Sequence, residues 1–120
     1  MNPRILVVDD DEMIRLLYSK ELTDDGYVVE TADCGTEALT KTSSANYNCI
    51  VLDIEMPDVQ GLEVLKQIRN TSPKTPVIIN SAYAIYKTDF NSWLADEYIV
   101  KSSDLKPLKK KIRELIDGAA

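Results

Sequence analysis

The sequence predicts a three-layer α/β/α sandwich built on a five-stranded parallel sheet. Two observations carry this. Five short, mostly β-branched apolar runs alternate with stretches of helical spacing along the whole chain. The first, third and fourth of those runs are almost wholly apolar, as strands covered on both faces are. Strict alternation of strand and helix supplies the crossover connections that a parallel sheet requires.

The first strand is expected at Ile5-Leu6-Val7-Val8. Ile14, Leu17, Tyr18 and Leu22 then follow i, i+3, i+4, i+8, and the stripe ends before Gly26. Tyr27-Val28-Val29 reads as the second strand, and Ala38 and Leu39 support a weaker helix over Thr36–Ser44. Cys49-Ile50-Val51-Leu52 is the third strand, and Leu62, Leu65 and Ile68 repeat every three residues after Gly61. Val77-Ile78-Ile79 is the fourth, followed by a shorter helical stripe of Tyr86, Phe90, Trp93 and Leu94. Tyr98-Ile99-Val100 is the fifth. The closing stripe is Leu105, Leu108, Ile112, Leu115 and Ile116, with Ser102 or Ser103 as cap, Asp104 in the first turn and Pro107 soon after. No repeat or linker interrupts the 120 residues, so residues 1–120 read as one domain with a loose Gly118-Ala119-Ala120 tail.

Composition narrows the function classes. The chain is 44% hydrophobic and 28% charged, with a net charge of −6, which argues against a general nucleic-acid or anionic-membrane surface. Histidine is absent, which removes His-based acid–base catalysis and any Ser-His-Asp triad. Cys34 and Cys49 lack metal-type spacing and read as two reduced structural thiols of a cytoplasmic protein. No run approaches ~20 apolar residues, and the chain enters its first strand without a signal-peptide pattern. Lys106, Lys109, Lys110, Lys111 and Arg113 form either the wet face of the last helix or a docking surface for an acidic partner.

The polar residues just past the strand ends carry the chemistry. Asp9, Asp10 and Asp11 follow the first strand, Asp53 the third, Asn80 and Ser81 the fourth and Lys101 the fifth. Ligands of such sheets sit at the carboxyl ends of the strands, near the point where strand order reverses. Carboxylates gathered there repel one another unless a cation lies among them. An all-oxygen set without histidine or thiolate favours a hard ion such as Mg2+. A carboxylate can act as a covalent nucleophile toward phosphorus, and phosphoryl transfer then needs mainly positioning and charge neutralisation. The bland alternative is that Asp10, Asp11 and Glu12 simply favour a helix N-terminus.

Four motifs in order, ILVVDDD over Ile5 to Asp11, DIEMPDVQGL over Asp53 to Leu62, Ser81-Ala82 and Tyr98-Ile99-Val100-Lys101, resemble bacterial two-component response-regulator receiver domains along nearly the whole chain. The resemblance implies the CheY-like, flavodoxin-like (βα)5 fold with strand order 2-1-3-4-5. It implies Asp53 as phosphoacceptor and Asp9 and Asp10 as the acidic pair that holds Mg2+, with Asp10 the more direct ligand. Glu55 would lend its backbone carbonyl to the metal. Ser81 would be the switch hydroxyl, Lys101 the partner of the phosphoryl group, and Tyr98 the switch aromatic. The chain departs from the family where Ser102 follows Lys101 in place of proline; a trans bond is expected there, because a cis bond to a non-proline costs ~3–4 kcal/mol. Leu94-Ala95-Asp96 stands where Gly-Ala-Asp is common, and the fourth helix is expected to be short.

The function so implied is that of a cytoplasmic, single-domain switch. A sensor histidine kinase phosphorylates Asp53, and the change is read by an output protein that the sequence does not identify. The chain would be no enzyme beyond assisting its own phosphorylation and dephosphorylation, would touch neither nucleic acid nor membrane, and could form a homodimer. A phosphorelay shuttle to a second histidine, an Mg2+-dependent aspartyl phosphohydrolase and a phosphorylation-independent scaffold are the alternatives.

Overall fold

The computed structural model describes residues 2–55, 61–82 and 95–119. Among them the chain forms β1 (Arg4–Val8), α1 (Glu12–Asp24), β2 (Val28–Ala32), α2 (Gly35–Ser44), β3 (Cys49–Leu52), α3 (Gly61–Thr71), β4 (Val77–Ser81), β5 (Glu97–Val100) and α4 (Lys106–Ala119). The fourth helical stripe and the Met56-Pro57 pair lie outside the described residues.

The five strands form one parallel sheet in the order β2-β1-β3-β4-β5, as expected. Period-2 alternation splits each central strand between two apolar layers. Leu6, Val8, Ile50, Leu52, Val77 and Ile79 join Ala38 of α2 and Val64, Leu65 and Ile68 of α3 on one face. Ile5, Val7, Cys49, Val51 and Ile78 join Tyr18 and Leu22 of α1 and Leu105, Leu108 and Ile112 on the other. The two-sided burial explains why these strands carry no polar alternation in the sequence. Cys49 lies fully buried, and burial pushes its thiol up to about 12, so it is chemically inert in the folded chain. Both cysteines are free. No helix among the described residues is long and apolar enough to cross a membrane.

Four expectations shift. The second strand starts at Val28 and runs to Ala32, because Tyr27 completes the stop signal of α1. Gly26 stands at φ +98°, its N–H donates to the Thr23 carbonyl and the Tyr27 N–H donates to the Leu22 carbonyl, with Leu22 and Tyr27 in the same apolar layer. Pairing with Leu6, Val7 and Val8 then carries the strand through Glu30, Thr31 and Ala32 regardless of their composition. Leu17 is 43% exposed instead of buried, and in α3 Val64 joins the core although the three-residue repeat missed it. In place of a Ser102 or Ser103 cap, the start of α4 is held by Asp104, whose carboxylate accepts from the Lys106 N–H at 3.0 Å. Ser102 serves one step earlier, accepting from the Asp104 N–H at 3.1 Å.

Asp96 clamps the far end of β5 against β4. Its carboxylate accepts from the Val77 N–H at 2.8 Å and from the Arg69 guanidinium at 2.6 Å, while its own N–H donates to the Val77 carbonyl at 2.9 Å. Asp96→Ala is expected to cost about 1–3 kcal/mol in urea unfolding, because it leaves the Val77 N–H without its acceptor and removes the carboxylate facing Arg69, whose guanidinium keeps the Thr75 carbonyl. An unchanged midpoint would show that the clamp contributes nothing. The basic run on α4 is largely spent inside the chain: Lys109 pairs with Glu21 and Asp25, Lys111 with Glu97 and Glu114, and Arg113 lies over the Tyr27 ring. The solvated-face reading of that run therefore fits better than a free docking surface.

Candidate functional site

Strand register builds the site. Val8 pairs with Leu52, so Asp9 and Asp53, each the next residue, emerge side by side from adjacent strands. Backbone bonds continue the ladder through both: the Asp9 N–H donates to Ala32 and the Asp53 N–H to Val8. On the other flank Ser81 pairs with Val100, and the Lys101 N–H donates to the Ser81 carbonyl at 2.7 Å. Because β1 lies between β2 and β3, the chain crosses to opposite faces after β1 and β3 and leaves a crevice between their ends.

Asp9 and Asp53 are both buried, only 2% and 4% exposed, and are held in the same way. Each uses Oδ1 to accept the N–H two residues on: Asp11 donates to Asp9 at 2.9 Å and Glu55 to Asp53 at 3.0 Å. Each turns Oδ2 to the Lys101 ammonium, at 2.8 Å for Asp9 and 3.2 Å for Asp53. Arg15 of α1 donates to the Asp9 carbonyl at 2.9 Å and braces the same loop. Asp10 is exposed, yet its carboxylate, with those of Asp9 and Asp53, offers three oxygens within 4.8 Å of one another.

Burial raises the Asp53 carboxyl above its ordinary value, the Glu55 N–H and the Lys101 charge pull it down, and the Asp9 charge pushes it up again, with a net rise. Burial also works against the Lys101 ammonium. Its hydrogen bond to Asp9 and the charges of Asp53 and Asp9 outweigh that and raise it. Glu55 is raised as well, first by loss of solvent and then by the Asp53 charge.

Three carboxylates thus face one ammonium, leaving two negative charges in excess. The donors are all oxygen, and they would draw closer together to ligate an octahedral Mg2+ at ~2.1 Å. The residues present fit a hard divalent cation.

The structure therefore brings together Asp9, Asp10, Asp53 and Lys101 from the predicted set, with Glu55 at the rim. Ser81 stands fully buried at the end of β4, and Tyr98 is buried in the layer shared with α2 and α3. Both belong to that face of the sheet by alternation, since Ile79 pairs with Tyr98. Asp11 separates from the cluster: it is the N-cap of α1, accepting from the Met13 N–H at 2.9 Å. The acidic run thus serves two purposes, with Asp11 and Glu12 starting the helix and Asp9 and Asp10 facing the crevice. The Lys101–Ser102 bond is trans.

Sequence reasoning missed Tyr18 and Asn80 as a polar pair beneath this cluster, having placed Tyr18 in an apolar stripe. The signal available was an asparagine at the end of a fully apolar strand, which burial would force to find a partner.

Comparison with known proteins agrees with this geometry. Residues 5–113 match the family described as the response regulator receiver domain. The response regulator MprA of Mycobacterium ulcerans is 36% identical over 121 residues, which cover 97% of this chain and 51% of that protein. The chain thus spans about half the length of the curated relatives it matches. Among solved structures, the response regulator protein TrrA of Thermotoga maritima, in complex with Mg2+ and BeF, is 48% identical at a TM-score of 0.91, covering 96% of this chain and 99% of that one. The same protein in complex with the histidine kinase ThkA gives 0.88, with 96% of this chain and 98% of that one covered. A CheY-like receiver domain protein from Methanospirillum hungatei is 33% identical at 0.93, covering 99% and 97%.

Proposed function

Because the chain belongs to the response regulator receiver domain family, we propose that Asp53 accepts a phosphoryl group from the phosphohistidine of a sensor histidine kinase and that the modified domain changes its affinity for an output protein. The carrying observation is the Lys101 ammonium bridging the paired Asp9 and Asp53 carboxylates at the crevice between β1 and β3. TrrA, nearly half identical over almost the whole chain, is known in complex with a histidine kinase and with Mg2+ and BeF, which supports both the donor and the metal.

In this reading Asp9, Asp10, Asp53 and the Glu55 carbonyl hold Mg2+. When bound, the ion neutralises charge on the incoming phosphoryl oxygens. An Asp53 oxygen forms the new P–O bond as the P–N bond to the donor histidine breaks, and the released imidazole takes up a proton. Asp53 is suited to this by being buried and held through one oxygen by the Glu55 N–H, which leaves the oxygen now against Lys101 as the one to attack. Lys101 exchanges carboxylate partners for phosphoryl oxygens. Ser81 and Tyr98, on one face of adjacent strands, are placed to answer that exchange together, Ser81 by hydrogen bonding the new group and Tyr98 by repacking.

The donor must approach over the rim. Exposed Met13 and Leu16, 72% and 58% exposed on the first turns of α1 just after the acidic loop, give that approach an apolar footing. The domain assists its own phosphorylation and dephosphorylation without turning over a separate substrate. It works in the cytoplasm, where its two free cysteines stay reduced.

Acetyl phosphate with Mg2+ is expected to give a single phosphoryl adduct, mapped by mass spectrometry to Asp53, and none in EDTA. An adduct elsewhere, or one indifferent to EDTA, would sink the reading.

A further inference from the structure

Among the described residues, the buried layer between the sheet, α1 and α4 is apolar except at one place. Asn80 occupies the face of β4 that carries Ile78 and is 2% exposed. Its Nδ2 donates to the Ile99 carbonyl of β5 at 2.9 Å. A carbonyl only accepts, so this bond fixes the amide's orientation and turns Oδ1 toward α1. There Oδ1 accepts from the Tyr18 hydroxyl at 2.7 Å. Two hydrogen bonds thus join a helix and two strands in a chain that spans 62 positions of sequence between Tyr18 and Asn80.

The location gives the pair its meaning. Asn80 immediately precedes Ser81, and Ile99 stands two residues before Lys101. α1 begins directly after the Asp9–Asp11 loop. Burial raises the Tyr18 phenol, while Lys101 lowers it and Asp9 and Asp53 raise it further, so the ring lies within electrostatic reach of all three charged groups. The pair sits under the acidic cluster without belonging to it.

We propose that Tyr18 and Asn80 are positioning residues for phosphoryl transfer, tying α1, β4 and β5 together beneath the cluster so that Ser81 and Lys101 are held at a fixed offset from Asp53. This rests on the phosphoacceptor reading of Asp53. The hydrogen bonds act through the backbone that carries the two site residues. A mere packing role predicts that stability and activity change together. A positioning role predicts that they separate.

The separating variant is Tyr18→Phe combined with Asn80→Leu, a nearly isosteric pair that removes both polar partners. Losing both at once leaves neither side chain with an unpaired polar group, and the Ile99 carbonyl that loses its donor belongs to a half-exposed residue, so the double variant is expected to melt within about 3 °C of wild type. Its initial rate of Asp53 labelling by acetyl phosphate at saturating Mg2+ is expected to fall roughly three- to tenfold, with Mg2+ affinity changed by less than about twofold. Labelling at the wild-type rate overturns the inference. So does a rate loss accounted for by weaker Mg2+ binding. Tyr18→Phe alone, assayed well below its own melting transition, gives a second measurement should the double variant fold poorly: a wild-type rate there overturns the inference equally. Wild-type protein that takes no label removes the phosphoacceptor reading and this inference with it. Wild-type protein that labels normally beside an unaffected Tyr18→Phe removes this inference alone.

Discussion

Asp53→Asn protein is expected to take no phosphoryl label from acetyl phosphate and, in EDTA, to melt above wild type. The first effect is chemical: an amide oxygen is a far weaker nucleophile than a carboxylate and cannot form a stable acyl phosphate. The second follows from the site's electrostatics. Burial holds the folded-state pKa of Asp53 above its unfolded value. A carboxyl shifted that way contributes stability below its unfolded pKa and loses it as pH rises through the folded pKa. At neutral pH, wild type therefore carries the cost of a buried charge, and an asparagine of the same shape does not. A gain of ~2–5 °C is expected. Mg2+ should raise the melting temperature of wild type by mass action and that of the variant much less. Intact-mass spectrometry and calorimetry with and without EDTA read both effects. Equal labelling of the variant would discard Asp53 as acceptor. A variant that melts lower than wild type in EDTA would contradict the charge argument.

Lys101→Ala is expected to destabilise the metal-free protein by about 3 kcal/mol, and Mg2+ to recover much of that loss. Lys101 stands 2.8 Å from Asp9 and 3.2 Å from Asp53, both nearly buried. Removing the ammonium leaves two carboxylates facing each other without a cation, the costly case of a broken buried pair. Proton uptake by one of them limits the cost to the lower end of the usual range. A divalent ion can take over the neutralising role, so the variant's urea midpoint should depend on Mg2+ more steeply than wild type's. The phosphorylated state should be poorly held, because no ammonium remains to meet its oxygens. The same midpoint with and without Mg2+ would show that lysine and metal do not share this charge.

How much of this was legible in the sequence differs from residue to residue. Ile5-Val8, Cys49-Leu52 and Val77-Ile79 announced themselves because strands covered on both faces need an apolar side chain at every position. Asp9 and Asp53 could be picked out because each directly follows such a run, with Asp10 one residue further on, and Lys101 because it directly follows the fifth strand; a carboxylate or ammonium there has only the sheet's end to occupy. β2 was read short, since Glu30 and Thr31 enter the ladder by pairing with Leu6 and Val7, not by preference. Tyr27 was assigned to the strand although its N–H is committed to closing α1. Leu17 fits the helical period but points into the open groove beside Leu105, Lys106 and Lys109.

The sequence alone determined the alternation of elements, the parallel three-layer class and the residue types at the strand ends, because buried strands and amphipathic helices impose short-range periods. Which oxygen of each carboxylate meets Lys101, that Asp11 caps α1 instead of joining the cluster, and that Tyr18 reaches Asn80 were decided only by the tertiary structure. Those contacts depend on strand register and helix placement between residues far apart in the chain. A periodic pattern shows which face a side chain occupies, while its partner is set by how the faces meet.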